Sequence, residues 1–253
     1  MKTRVLFYSI FLFGIITTLQ AKNYIVCIGV GDYPDNDIDL NYTADDARTI
    51  HDIYKANGHS ELFLAINERA TVENVRAAMN AMFSKAGNND GILFFFSGHG
   101  SPNSFLCYDG HLRHDELVEI MSHSKAGTKM VMANACHSGQ VSQAQRELRN
   151  ARKKYNKNTI MFFLSSRGNE YSWGASDGKN SYFTSFLARG LRGAADANKD
   201  SIVSAREIYL FVRKGLSKQT YTYNGVIQND IQHPVMWGKF DNNMPVISWK
   251  RNN

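Results

Sequence analysis

Two side chains in this sequence have the type and surroundings for acyl-transfer chemistry, His99 and Cys136. His99 stands in Ile92-Leu-Phe-Phe-Phe-Ser-Gly-His-Gly100, and Cys136 in Val131-Met-Ala-Asn-Ala-Cys-His-Ser-Gly139. Each segment is an apolar run that breaks into Ser, Gly and one reactive group. A continuous apolar run of this length suits a strand covered on both faces, as in a parallel sheet. The glycines then let the backbone turn sharply where the strand ends. Ligands of open α/β sheets bind at the carboxyl ends of strands, so a base and a thiol leaving two strands at one rim can meet there. A thiol with a reference pKa of about 8.5 is mostly protonated near neutral pH, and the thiolate is what attacks. An imidazole beside it can take that proton and return it to a leaving amine. The pattern is that of a cysteine nucleophile.

Phe96-Ser-Gly-His-Gly100 and Ala135-Cys-His-Ser-Gly139 resemble the two catalytic motifs of the caspase and metacaspase group of cysteine peptidases, and the second motif is closer to metacaspases. The resemblance runs from about Tyr24 to Gly238. It implies Cys136 as nucleophile, His99 as general base and acid, and a thioester that water hydrolyses. It also implies the backbone N–H groups of Gly100 and Cys136 as donors to the oxyanion, each worth roughly 2.7–4 kcal/mol of barrier. Metacaspases cut after Arg or Lys, with acidic residues beneath the P1 side chain. In Leu40-Asn-Tyr-Thr-Ala-Asp-Asp-Ala47, Asp46 matches one such acid and Thr43 stands where that family has Cys. Ser97 is retained, and Asn134 replaces the second acid. The implied S1 set is therefore Asp46, Asn134, Ser97 and Thr43, with a basic P1. One carboxylate with an amide binds a cation less strongly than two carboxylates. As an alternative, Asp46 is a first-turn acid favoured by the helix dipole. Two rival functions also stand: a catalytically silent homologue that binds peptides or partners at the same rim, and a transpeptidase in which an amine captures the thioester.

The elements that must position these residues alternate. Strands are expected at 24–30, 61–66, 92–96, 128–134 and 159–165, with a sixth around 234–237. Helices are expected at 44–57 with Thr43 as N-cap, from Thr71 as N-cap to Ser84, and at 115–121, 182–191 and 205–215. Val72, Val75, Met79 and Met82 recur at helical spacing and read as core packing. Alternation of this kind argues for right-handed crossovers and a mostly parallel sheet. The expected fold is α/β, a caspase-like α/β/α sandwich around a sheet of about six strands. At 253 residues, one large domain over residues 22–253 is expected.

Residues 1–21 read differently. Lys2 and Arg4 precede an apolar run from Val5 to Ile16 and then Thr17-Thr-Leu-Gln-Ala21, the order of a secretory signal peptide. Twelve apolar residues are short for a membrane-spanning helix, so the mature chain is expected to be exported without membrane insertion. Its removal takes away Lys2 and Arg4 and lowers the net charge from +6 to +4. Much of that charge sits in the local run Arg146–Lys154, which reads as a processing loop or a solvated helix face. So mild an excess gives no reason to expect nucleic acid as a partner; the expected partner is a peptide or protein substrate. Three cysteines in an exported chain leave at least one unpaired, and Cys27 and Cys107 read as buried thiols. His51, His59, His111, His114 and His123 lack ligand spacing with Cys and read as surface or capping residues.

The chemistry needs no cofactor. One further segment, Asp196 to Glu207, has Asp196, Asn198 and Asp200 at positions 1, 3 and 5 of an EF-hand-like loop, the Ile202 carbonyl at 7 and Glu207 at 12. Calcium favours such a set of hard oxygens. Ser201 replaces the Gly of position 6, where positive φ costs a non-Gly residue on the order of 1 kcal/mol. An ion-free Asp/Asn turn with Ser204 as helix N-cap is the competing reading.

Overall fold

The computed structural model describes residues 21–101, 103–135, 160–166, 179–223, 226–229 and 232–249. The leader at 1–20, Cys136 with His137, and the basic run 146–154 lie outside the described residues. In chain order the strands are β1 (Asn23–Gly29), β2 (Ser60–Ile66), β3 (Gly91–Ser97), β4 (Gly100–Ser101), β5 (Ser104–Leu106), β6 (His111–Arg113), β7 (Thr128–Asn134), β8 (Met161–Leu164), β9 (Ile202–Ser204), β10 (Thr220–Tyr223), β11 (Val226–Asn229), β12 (Val235–Trp237) and β13 (Pro245–Ser248). The helices are α1 (Thr43–Asn57), α2 (Val72–Phe83), α3 (His114–His123), α4 (Tyr182–Arg189) and α5 (Ala205–Leu216).

Six strands form the central sheet in the order β12-β8-β7-β3-β1-β2. All neighbours are parallel except β12, which runs antiparallel to β8 at the edge. The short edge strand around 234–237 thus exists. Because successive side chains point to opposite faces, each buried strand serves two cores. Val26 and Ile28, Phe94 and Phe96, and Val131 and Ala133 join one core with Val75, Met79 and Met82 of α2 and Leu117 of α3. Ile25 and Cys27, Leu93 and Phe95, and Met130 and Met132 join the other, with Ile50 of α1, Leu187 of α4 and Ile208 of α5. Helices therefore cover both faces, which is why β1, β3 and β7 are almost wholly apolar. The methionines of α2 pack in the core as their spacing predicts. Among the described residues no helix is long and apolar enough to cross a membrane.

Two local expectations are corrected. Thr43 is not the N-cap of α1; Tyr42 is, without a side-chain cap bond. The Thr43 hydroxyl donates instead to the Val30 carbonyl at 2.7 Å, drawn in by an acceptor that the end of β1 leaves open. His114 is not a surface residue: it is 1% exposed, and neither ring nitrogen has a hydrogen-bond partner. Its ring meets Phe105 edge-on, with centroids 4.5 Å apart.

Burial pushes the His114 pKa down from 6.5 to about 4. The unfolded chain takes up a proton below pH 6.5, whereas the folded ring does so only near pH 4. The neutral ring therefore contributes stability in full above pH 6.5 and loses it as pH falls towards 4, by about 3 kcal/mol. A His114→Leu variant is expected to lose that limb, so its melting temperature should change less than that of wild type between pH 6.5 and 4. Parallel curves for the two proteins would contradict this.

Candidate active site

The register of the sheet brings two polar side chains together at its carboxyl rim. Ser97 ends β3, Asn134 ends β7, and the two are paired across the ladder. Gly29, at the end of β1, pairs with Ser97 on its other side. A Cβ on Gly29 would lie 2.5 Å from the Thr43 carbonyl oxygen and 2.9 Å from the Ala47 Cβ, so only glycine lets α1 begin this close to the strand. That approach places Asp46, in the first turn of α1, over the ends of β3 and β7.

Asp46 has no exposure to solvent. Its Oδ2 accepts from Ser97 Oγ at 2.8 Å and Asn134 Nδ2 at 3.1 Å, and its Oδ1 from Asn180 Nδ2 at 3.0 Å and the Ser181 backbone N–H at 2.9 Å. Burial raises its pKa, and these hydrogen bonds, led by the Ser181 N–H, oppose the rise. Asn134 has a clear physical role. Its amide donates a hydrogen bond to Asp46, whereas a second buried carboxylate there would face Asp46 as a like charge.

His99 follows Gly98 out of β3 and is half-buried. Its Nε2 lies 2.6 Å from the carbonyl oxygen of Ile38. A carbonyl only accepts, so Nε2 carries the hydrogen and Nδ1 is the basic nitrogen of the neutral ring. The backbone N–H of His99 donates to the Tyr33 hydroxyl at 3.0 Å, and that hydroxyl donates to the Leu106 carbonyl at 3.2 Å. The Tyr33 and His99 rings are tilted, with centroids 5.2 Å apart. Gly98 makes room for this: a Cβ there would sit 2.9 Å from the Tyr33 hydroxyl. Ile38 and Tyr33 share a loop closed by the Leu40 N–H to the Gly31 carbonyl and by the Tyr33 N–H to Asp39 Oδ1. Asn67, in left-handed backbone at φ 49°, ties the loop to the end of β2 by accepting from the N–H groups of Gly31 and Asp32.

A family model of the caspase domain matches residues 22–243. The chain belongs to the caspase domain family. Solved structures repeat the fold. Caspase-1 from Spodoptera frugiperda aligns with a TM-score of 0.67 over 92% of this chain and 92% of its own, at 12% identity. The protein GSU0716 from Geobacter sulfurreducens aligns with a TM-score of 0.64 over 90% of this chain and all of its own, at 18% identity. No curated protein matches the sequence.

Within this caspase domain the residues singled out in the sequence are distributed as follows. Asp46, Ser97 and Asn134 form one cluster, and Thr43 lies beside them but is turned to Val30. Gly100 opens β4 opposite Phe105, two positions after Gly98. Ala135 is buried, and its carbonyl accepts from the hydroxyls of Ser165 and Ser166 just beyond β8, both at 3.5 Å. Cys136, the next residue, is outside the described residues. Cys27 and Cys107 are free, buried thiols; burial pushes the Cys107 pKa up to about 12 and that of Cys27 higher still. Both are thereby inert.

Tyr33, Asn67, Asn180 and Ser181 were missed by sequence reasoning. Ser181 carried a signal, since a Ser ahead of Tyr-Phe at a helix start is an N-cap pattern, and its hydroxyl does accept from the Thr184 N–H. The others carry no motif of their own.

The 196–207 loop is a turn closed on itself. Asp196 accepts from the N–H groups of Asp200 and Ser201, and Asp200 from that of Ile202. Ser204 caps α5 in a reciprocal capping box with Glu207. Burial works to raise the Glu207 pKa, but hydrogen bonds from Ser204 and from the Ala197 N–H hold it below the usual value. Ser201 adopts φ 69°, the left-handed turn its position calls for. Among the described residues no three His, Cys, Asp or Glu side chains converge as a metal site.

Replacing Asp46 by Ala takes one hydrogen-bond acceptor from each of Ser97, Asn134, Asn180 and Ser181, at a cost of about 1–3 kcal/mol for each hydrogen that stays dry. Urea unfolding of Asp46→Ala is expected to show a loss of about 4 kcal/mol or more, against about 1 kcal/mol for Tyr33→Phe. A loss below 1 kcal/mol in Asp46→Ala would show that the cluster does not hold the rim together.

Proposed function

We propose that this caspase-domain protein is an exported cysteine endopeptidase, made with a cleavable leader at residues 1–21, that cleaves after a basic P1 residue through a Cys136–His99 pair. The observation that supports it most is the His99–Ile38 hydrogen bond, because it leaves Nδ1 as the base on a ring accessible at the rim. In the proposed reaction Nδ1 takes the proton of the Cys136 thiol as Sγ bonds to the substrate carbonyl carbon. The N–H groups of Gly100 and Cys136 hold the resulting oxyanion. Collapse breaks the C–N bond, and the imidazolium gives its proton to the leaving amine. Water then adds to the thioester with His99 again as base, and the acid product leaves as the thiol is restored.

Asp46, Asn134 and Ser97 supply the proposed P1 contacts, with Thr43 behind them. The silent-binder reading draws on one observation: the Asp46 carboxylate already has internal donors at both oxygens. The transpeptidase reading shares every step up to the thioester and differs only in an amine replacing water. The reaction needs no cofactor, and calcium at the 196–207 loop is a separable part of the proposal.

Fluorogenic peptides that differ only at P1 (Arg, Lys, Asp, Asn, Ala) test it, with calcium or a chelator, using wild type, Cys136→Ala and His99→Ala. Turnover of the Arg and Lys peptides is expected, falling at least about a thousandfold in either variant. A ligated product in the mass spectrum would mark the transpeptidase. No turnover of any peptide by folded wild type lacking residues 1–21 would overturn the peptidase reading.

A further inference from the structure

The cluster around Asp46 has one removable member. Ser97, Asn134 and Ser181 are buried, whereas Asn180 is partly exposed, so it stands between the carboxylate and solvent. Its Nδ2 reaches both Asp46 Oδ1, at 3.0 Å, and Thr49 Oγ1, at 3.1 Å. The cluster is also one donor short. Asn134 gives its amide hydrogens to Asp46 and Ser97, at 3.1 and 3.3 Å, while its Oδ1 is buried without a hydrogen-bond partner. A buried acceptor left in that state is costly unless something supplies a proton donor. The site therefore has one acceptor waiting and a second held by a side chain that can turn away into water.

We propose that Asn180 is a specificity-determining residue: its carboxamide competes with the P1 cation for Asp46 Oδ1, and the cation displaces it while donating a second N–H to Asn134 Oδ1. The proposal rests on the basic-P1 reading and adds what sets the strength of charge selection. Displacement exchanges a neutral donor for a charged one on the same carboxylate, so attraction between opposite charges is added to a hydrogen bond that already has an ionic acceptor. The released amide is rehydrated because Asn180 already touches solvent. Charge selection in wild type is thus blunted by the competing amide, and removing that amide sharpens it.

Arginine and citrulline separate charge from shape, since citrulline has the same length and keeps N–H donors but is neutral. The test compares kcat/KM for two fluorogenic peptides, with Arg or citrulline at P1, in wild type, Asn180→Ala and Asn180→Leu. In parallel, calorimetry measures binding of product peptides ending in Arg or citrulline to the same three chains carrying Cys136→Ala. Both substitutions are expected to raise the Arg-to-citrulline ratio roughly three- to tenfold, in turnover and in binding. Asn180→Leu keeps the branched shape and size of the side chain, brings no charge and no donor, and so guards against a packing defect in the Ala variant. A merely structural role would change both peptides alike and leave the ratio where it was.

An unchanged or lower ratio in both variants overturns the proposal, even where wild type cleaves well and the peptidase reading stands. A raised binding ratio in a chain that cleaves neither peptide supports Asn180 and sinks the peptidase reading instead. Absence of both cleavage and binding overturns the two together.

Discussion

A carboxylate shut away from water must receive its hydrogen bonds from inside the protein, and the way Asp46 does so organises the rim. Its donors come from the ends of β3 and β7 and from the residues that start α4, while Asp46 itself belongs to the first turn of α1. Four segments far apart in sequence are thereby fixed to one pair of oxygens. Burial alone would push the group towards its neutral form. The donors oppose that, and the Ser181 N–H does so at the start of a helix, where negative charge is favoured. Loss of a buried segment such as the end of β3 or β7 would leave the carboxylate short of a donor.

The second centre of the rim is His99, and it depends on a different kind of support. The loop that follows β3 leaves the sheet through Gly98, and the 31–40 loop leaves β1 through Gly31. They meet because Tyr33 fills the space that Gly98 leaves. The phenol then serves two backbones at once, accepting from His99 and donating to Leu106. With Ile38 fixing Nε2, the ring has a defined tautomer. Pre-organisation of this kind is what general-base chemistry requires of its surroundings.

Much of this was legible from residue pattern. The unbroken apolar runs of β1, β3 and β7 announce strands covered on both faces, and Val75, Met79 and Met82 announce the buried side of α2. Grouping Asp46, Ser97 and Asn134 followed from the motifs that carry them. Other features depend on contacts between segments remote in sequence, which no local pattern encodes. Thr43 looks like a helix cap until the Val30 carbonyl claims its hydroxyl, and His114 looks like a surface residue until Phe105 of β5 packs against it. Tyr33 and Asn180 gain their significance only from what the folded chain brings against them. Ser201 is the converse case, a non-glycine residue whose left-handed backbone could be anticipated from the loop pattern.

The most direct test of the central claim, that Cys136 is a nucleophile activated by His99, is covalent labelling read by peptide mass spectrometry. The chain would be treated with an arginine-bearing acyloxymethyl ketone, whose carboxylate leaving group is displaced by an attacking thiolate. The account predicts one label per chain, on Cys136, with none on the buried Cys27 or Cys107 and a large loss of labelling rate in His99→Ala. An unlabelled Cys136 in folded wild type, or a label that forms equally fast without His99, would contradict it.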